Sequence, residues 1–335
     1  VAGYTASTDL PTVNPYQAFY QGSNDIFITK FSSGGSTLHY STYLGSSQLD
    51  VSVDLDVDSG YAYVFGYTAS SGFPTVNPYQ AALGGNQDAC LSKLDSSGSA
   101  LVYATYLGGA DTESGVGEIS VEDGLAYVGS FTRSTDFPVV NPYQTSLAGG
   151  SDAFVSKFSS SDSALEYSTY LGGSSSDEVQ GVSAVGGIAF LTGFTSSDNF
   201  PTVNPYQPSF GGAVDSFVAG IAPGGSSLWF SGYLGGSGED FGREVVTAGD
   251  NIWVVGYTLS DDFPTADPYQ ASREGNYDAF LSGFSRVCYL TTPTPTPLET
   301  RTPTPTPSLT PSPTPSRIPT ATPTPTPTTT PSVTP

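Results

Sequence analysis

Aspartates recur at Asp25, Asp88, Asp152, Asp215 and Asp278, each just before a short apolar run. A second set of acids follows the Gly-Gly pairs: Asp111 and Glu113, Asp177 and Glu178, Glu239 and Asp240. Clustered carboxylates beside flexible glycines are the donor chemistry of hard cations, so Asp111, Asp177 and Asp240 are the calcium candidates. The first set has a plainer use. An Asp at the end of a loop accepts backbone N–H bonds and fixes the entry to a strand, and the five recurring aspartates are read that way. Asp54, Asp56, Asp58 and Gly60 are spaced almost as in a calcium loop, but the glycine falls one residue late. Their alternation with Val51, Val53, Leu55 and Val57 fits a strand. The chain has no nucleophile elbow, no Cys–His pair, no phosphate-cradling glycine loop and no zinc spacing, so no enzyme is expected. The single His39 is read as a surface residue on a strand.

The elements that position these acids are written as a repeat. The octapeptide FPTVNPYQ stands at 73–80 and again at 200–207, with near copies at 10–17, 137–144 and 263–270. Its opening prolines, Pro11, Pro74, Pro138, Pro201 and Pro264, are spaced by 63, 64, 63 and 63 residues. A fixed period of this size signals a solenoid or a propeller. Between Gly108 and Gly172 four short runs rich in Val, Tyr, Phe and Thr are separated by Gly, Ser and Asp, which are strand signals. Four strands per unit and no helical period describe an all-β chain, a β-propeller of about five four-stranded blades over residues 1–290. Within the octapeptide each Pro fixes its own φ and favours an extended residue before it. The Asn is read as capping a turn. Tyr16, Tyr79, Tyr143, Tyr206 and Tyr269 are read as laying their rings on the neighbouring blade. A residue needed in every blade is punctuation of the architecture.

The pattern YSTYLGG, AYVxGYT, FPTVNPYQ and DAFVSK resembles the SBBP β-propeller repeat family of bacterial and archaeal extracellular proteins, and it covers residues 1 to about 290. The resemblance implies the propeller and an extracellular or cell-surface location, and is nearly silent on activity. Val1–Thr5 aligns with Val64–Thr68, so the first blade is expected to lack its innermost strand. The chain opens at Val1, with no leader and no Met, and reads as a processed or truncated product. Cys90 stands where the other units carry Phe27, Phe154, Phe217 and Phe280, and is read as a buried filler. No disulfide to Cys288 is expected.

From residue 291 the composition changes to Thr and Pro, which cannot build a core and favours an extended polyproline II-like tail. Thr and Ser alternating with Pro is the composition of O-glycosylated stalks. Thr294, Thr296, Thr302, Thr304, Thr306, Thr314, Thr322, Thr324 and Thr326 are the glycosylation candidates, with covalent glycans the expected modification. A formal net charge of -22 disfavours nucleic acid and anionic membranes, and no apolar run of about 18 residues exists to span a bilayer. Two functions fit. One is a structural subunit of an extracellular, glycosylated fibre or surface layer, formed by head-to-tail self-association. The other is a stalked cell-surface module that recognises a glycan or protein through its loop face.

Overall fold

The computed structural model describes residues 1–113 and 116–286. The tail, with all the glycosylation candidates and Cys288, lies outside the described residues. The described residues form five antiparallel sheets, each from strands consecutive in sequence. The first holds β1 (Ala2–Thr5), β2 (Asp25–Phe31) and β3 (Leu38–Leu44). The second holds β4 (Asp50–Asp58), β5 (Tyr61–Thr68), β6 (Asp88–Leu94) and β7 (Leu101–Leu107). The third runs from β8 (Glu118–Glu122) through β9 (Leu125–Thr132) and β10 (Asp152–Phe158) to β11 (Leu165–Leu171). The fourth comprises β12 (Asp177–Val185), β13 (Ile188–Thr195), β14 (Asp215–Ile221) and β15 (Leu228–Leu234). The fifth holds β16 (Asp240–Ala248), β17 (Asn251–Thr258) and β18 (Asp278–Ser285).

These are propeller blades. The first strands of successive sheets lie side by side in order, β1 against β4, β4 against β8, β8 against β12 and β12 against β16. In the first sheet Thr5 pairs with Asp25 as Thr68 pairs with Asp88 in the second, so β1 occupies the second position of its blade. Tight hairpins join the first two strands of a full blade. Ser59 and Gly60 have φ of 50° and 86°, the left-handed pair that a right-twisted two-residue hairpin requires.

Strand alternation places the core between blades. On β5, Tyr63 and Phe65 point toward the third sheet, where they meet Ala126 and Val128. Ala62 and Val64 point back to the first sheet and pack on Ile26 and Ile28. The same division recurs around Leu191 and Phe217 and around Phe190, Ile252 and Val254. Each fully buried Tyr or Phe contributes about 1.5–3 kcal/mol of apolar transfer energy, so the blades are held by their mutual faces. Cys90 is buried in the core between the first and second sheets, where its apolar neighbours push the thiol pKa well up.

Candidate functional site

The recurring motifs converge on a latch built once per blade. In the third blade Gln144, the last residue of the octapeptide, donates from Nε2 to Asp152 Oδ2 at 2.6 Å and to the Ser146 carbonyl at 2.9 Å. Its Oε1 accepts from Gly172 N at 2.9 Å. Asp152 also accepts from the N–H groups of Ala148 and Gly149. The Gln–Asp bond recurs from Gln17 to Asp25, Gln80 to Asp88, Gln207 to Asp215 and Gln270 to Asp278, at 2.6–3.2 Å across the set. Sequence reasoning did not single out the glutamines; their recurrence at the eighth place of every octapeptide was the available signal.

The octapeptide itself runs along the outer edge of its blade. Val140 and Gln144 bridge Ser168 and Tyr170 on β11, and the pairs Val13–Ser41, Val76–Ala104 and Val203–Ser231 repeat the arrangement. Its asparagines depart from the sequence expectation. Asn14, Asn77, Asn141 and Asn204, with Asp267, have φ of 44–46° in the left-handed region, although each precedes a proline. Nor do they cap their own turn. Asn77 and Asn141 instead donate across to the carbonyls of Val102 and Glu166 on the outer strand, at 3.2 and 3.0 Å. That bond holds the backbone where the following proline alone would favour an extended residue. The tyrosines are not equivalent. Tyr206 sets its ring 6.1 Å from Phe284 of the next blade, edge to face, and Tyr16 and Tyr143 pack at inter-blade cores. Tyr206 is nonetheless exposed, as are Tyr79 and Tyr269, and among the described residues no sheet follows the fifth on which Tyr269 could lie.

The second set of acids opens the innermost strands. Asp177 is fully buried and accepts from the hydroxyls of Thr195 and Ser197 and from Gly173 N. Asp240 is equally buried and accepts from Gly236 N and Ser260 Oγ at 2.7 Å each. The equivalent position in the third blade is Glu113, bonded to Thr132 Oγ1 and Gly109 N, whereas Asp111 is exposed on the loop beside it. The three calcium candidates therefore sit on three different blades, and no group of three or more metal-ligating side chains occurs among the described residues. Burial, opposed by these hydrogen bonds, pushes Asp177 up to about 6 and Glu113 up to about 7. Burial pushes Asp215 up to about 6 as well.

Between the glycine and the two acids the fit is close. A Cβ on Gly172 would lie 2.7 Å from Asp152 Cγ and 2.8 Å from Asp177 Oδ2. Gly45 is held in the same way between Asp25 and Asp50, and Gly235 between Asp215 and Asp240. Each of these glycines is thus enclosed between the latch aspartate of its own blade and the acid that opens the next.

A different set of acids joins blades at the axis. Asp54 Oδ2 and Asp56 Oδ2 accept from Ile119 N and Val121 N of the next inner strand, at 3.0 and 2.7 Å. Glu118 Oε2 accepts from Val182 N at 2.5 Å, and Ala184 N donates to Ser120 Oγ at 3.0 Å. Burial first, then the Glu244 carboxylate, pushes Glu118 up to about 9. These side chains satisfy inner-strand N–H groups that a propeller leaves without a strand partner. A depression of about 280 Å³ beside the turn at Ser96 and Ser97 is lined by Asn14, Lys30, His39, Tyr40, Ser96 and Ser97, and holds no carboxylate.

Neither a protein-family model nor a curated protein matches the sequence. Among solved structures, sucrose-6-phosphate hydrolase from Lactobacillus gasseri is similar at 8% identity and TM-score 0.31, over 79% of this chain and 57% of that one. A Glu150Gln mutant of the Synechocystis apocarotenoid oxygenase is similar at 9% identity and TM-score 0.33, over 84% of this chain and 61% of that one. The chain thus aligns with less than two thirds of the length of either protein.

Proposed function

We propose that the chain is a structural subunit of an extracellular, glycosylated fibre or surface layer, and that it is not an enzyme. The observation that carries this reading is the latch. The most specific motif in the sequence recurs in all five blades, and in each its glutamine is bonded to an aspartate of the same blade. A group spent on holding its own loop is not free for a substrate, and a site for one ligand would break the repetition. The Thr/Pro composition from residue 291 supports a sugar-bearing spacer. The acidic surface supports solubility at the outside of a cell. Electron microscopy of native material, with intact-mass measurement of residues 291–335, tests the reading. Fibres or layers with a tail heavier than its peptide are expected. Dispersed monomers would overturn it in favour of the stalked binding module, and a tail at bare peptide mass would remove the glycan part.

A further inference from the structure

The repetition breaks in one place. Where the second strand of each blade runs into its octapeptide loop, Tyr67, Phe131, Phe194 and Tyr257 keep an aromatic ring, one residue before the Thr that pairs with the latch aspartate. The residues around these rings are not repeated. Arg133 stands where the second and fourth blades have Ala69 and Ser196, and Glu178 where the second and fifth have Val51 and Phe241. At this same end the first strands carry a one-residue bulge, and Val53, Gln180 and Arg243 are the extra residues of β4, β12 and β16. A bulge leaves its extra residue unpaired and re-aims the side chain.

In the third to fifth blades these variable residues form one connected group. Arg243 Nη1 donates to Gln180 Oε1 at 2.7 Å and Nη2 to the Tyr257 hydroxyl at 3.1 Å. Its guanidinium lies over Tyr257 and Phe241, 5.2 and 5.9 Å from the ring centres, and that of Arg133 lies over Phe131 at 5.8 Å. Phe194 meets Phe241 of the next blade edge to face at 5.2 Å. Gln180 Nε2 donates to Glu178 Oε2 at 3.2 Å. Both arginine charges act on Glu178, where they oppose the burial that pushes its pKa up. Among the described residues the ion pairs are Lys157–Glu166 and Arg273–Asp261, so neither Arg133 nor Arg243 is neutralised by a salt bridge. The fold does not need the group, because the second blade completes its sheet with Val51, Val53 and Ala69 in these places.

Two exposed guanidiniums held flat on rings offer the forks that bind a carboxylate through paired hydrogen bonds. In a chain of net charge -22 they attract an anion that the rest of the surface repels. Glu178 repels a doubly charged phosphate but accepts from hydroxyls, and Gln180 stands beside it. The half-buried rings of Phe131 and Phe194 offer apolar area to the flat C–H face of a sugar. We infer that this end of the third to fifth blades binds an acidic polysaccharide, with the carboxylate of a uronate residue held by the arginines and its hydroxyls by Glu178 and Gln180. The inference goes beyond the fibre reading, and either can fail alone, because binding is scored on dispersed and assembled chains alike.

The test titrates the full chain by calorimetry with short oligomers of galacturonate, glucuronate and mannuronate. Binding of at least one is expected, and a neutral galactose oligomer should bind at least about 10-fold more weakly. Arg133→Gln and Arg243→Gln should each lower the affinity about 10- to 100-fold, the worth of a charged hydrogen bond. Arg243→Lys keeps the charge and loses the fork, so it should fall between Arg243→Gln and the unaltered chain. Arg273→Gln, which breaks an ion pair outside the group, should change nothing. Melting midpoints verify that each variant is folded. No binding of any of the three uronates, or binding that both Arg→Gln variants leave unchanged, would overturn the site. Equal affinity for hexaglutamate would overturn the sugar as its ligand.

Discussion

Gln144 Nε2 lies 2.6 Å from Asp152 Oδ2, and this contact ties the end of a proline-rich loop to the start of the next strand. Replacing Gln144 by Ala removes its bonds to Asp152, Ser146 and Gly172 and leaves a buried carboxylate short of a donor. A loss of about 2–3 kcal/mol is expected. The exposed counterpart Gln270 keeps solvent as a substitute, so Gln270→Ala is expected to cost less than about 1 kcal/mol. Urea unfolding of the two variants checks the contrast, and equal losses would refute the burial argument.

Gly172→Ala forces a methyl between Asp152 and Asp177. Because both carboxylates are buried and bonded, neither can retreat without losing donors. Destabilisation of about 2–3 kcal/mol is expected from overpacking, measured as a fall in the urea midpoint. An unchanged midpoint would mean that the two acids separate freely.

Asn141 combines a left-handed φ of 44° with a bond to the outer strand. Asn141→Gly keeps the backbone freedom and loses the bond, at a cost of about 1 kcal/mol. Asn141→Val loses both and is expected to cost about 1–2 kcal/mol more. Thermal melting of the pair separates the two contributions; indistinguishable midpoints would remove the conformational one.

Acid is expected to stabilise this protein. Glu113, Asp177, Asp215 and Glu118 hold their protons at higher pH when folded, to about 7, 6, 6 and 9 respectively. The unfolded chain releases these protons near pH 4. The folded state therefore binds more protons between about pH 4 and 9, and stability falls as pH rises through that window. The melting midpoint should be higher at pH 5 than at pH 8. Glu118→Gln keeps an acceptor for Val182 N and needs no proton uptake on folding, so it should raise the midpoint at pH 8 and flatten the profile. A midpoint that climbs toward pH 8 would contradict the assignment.

Cys90, buried between the first and second sheets, should resist a thiol reagent in the folded protein and react once urea unfolds it. Peptide mapping reads Cys90 apart from Cys288. Native labelling at Cys90 would show that the joint between the first two blades opens.

The blades were legible because two signals reinforce each other: the period carried by Pro74, Pro138 and Pro201, and the alternation in runs such as Leu165–Leu171. The latch was only half legible. Asp152 stood out by recurrence, but its partner Gln144 was hidden inside an octapeptide read for its prolines and tyrosine. Asn141 misled because the rule for residues before proline describes local sterics, and here a bond to a distant strand outweighs them. The acids of the Gly-Gly loops misled for another reason. Asp111 and Glu113 lie two residues apart, and composition cannot tell which one enters the blade and which stays in water.

Gln144 and the glycine that it binds are 28 residues apart, well inside one 63-residue unit. A gene segment encoding one whole unit could therefore be duplicated or lost by unequal crossing-over, and each remaining blade would still close its own loop. The verbatim octapeptides at 73–80 and 200–207 are what such copying leaves behind. Selection then acts mainly on how neighbouring faces match, so lineages carrying this unit should differ in blade number more readily than in blade chemistry.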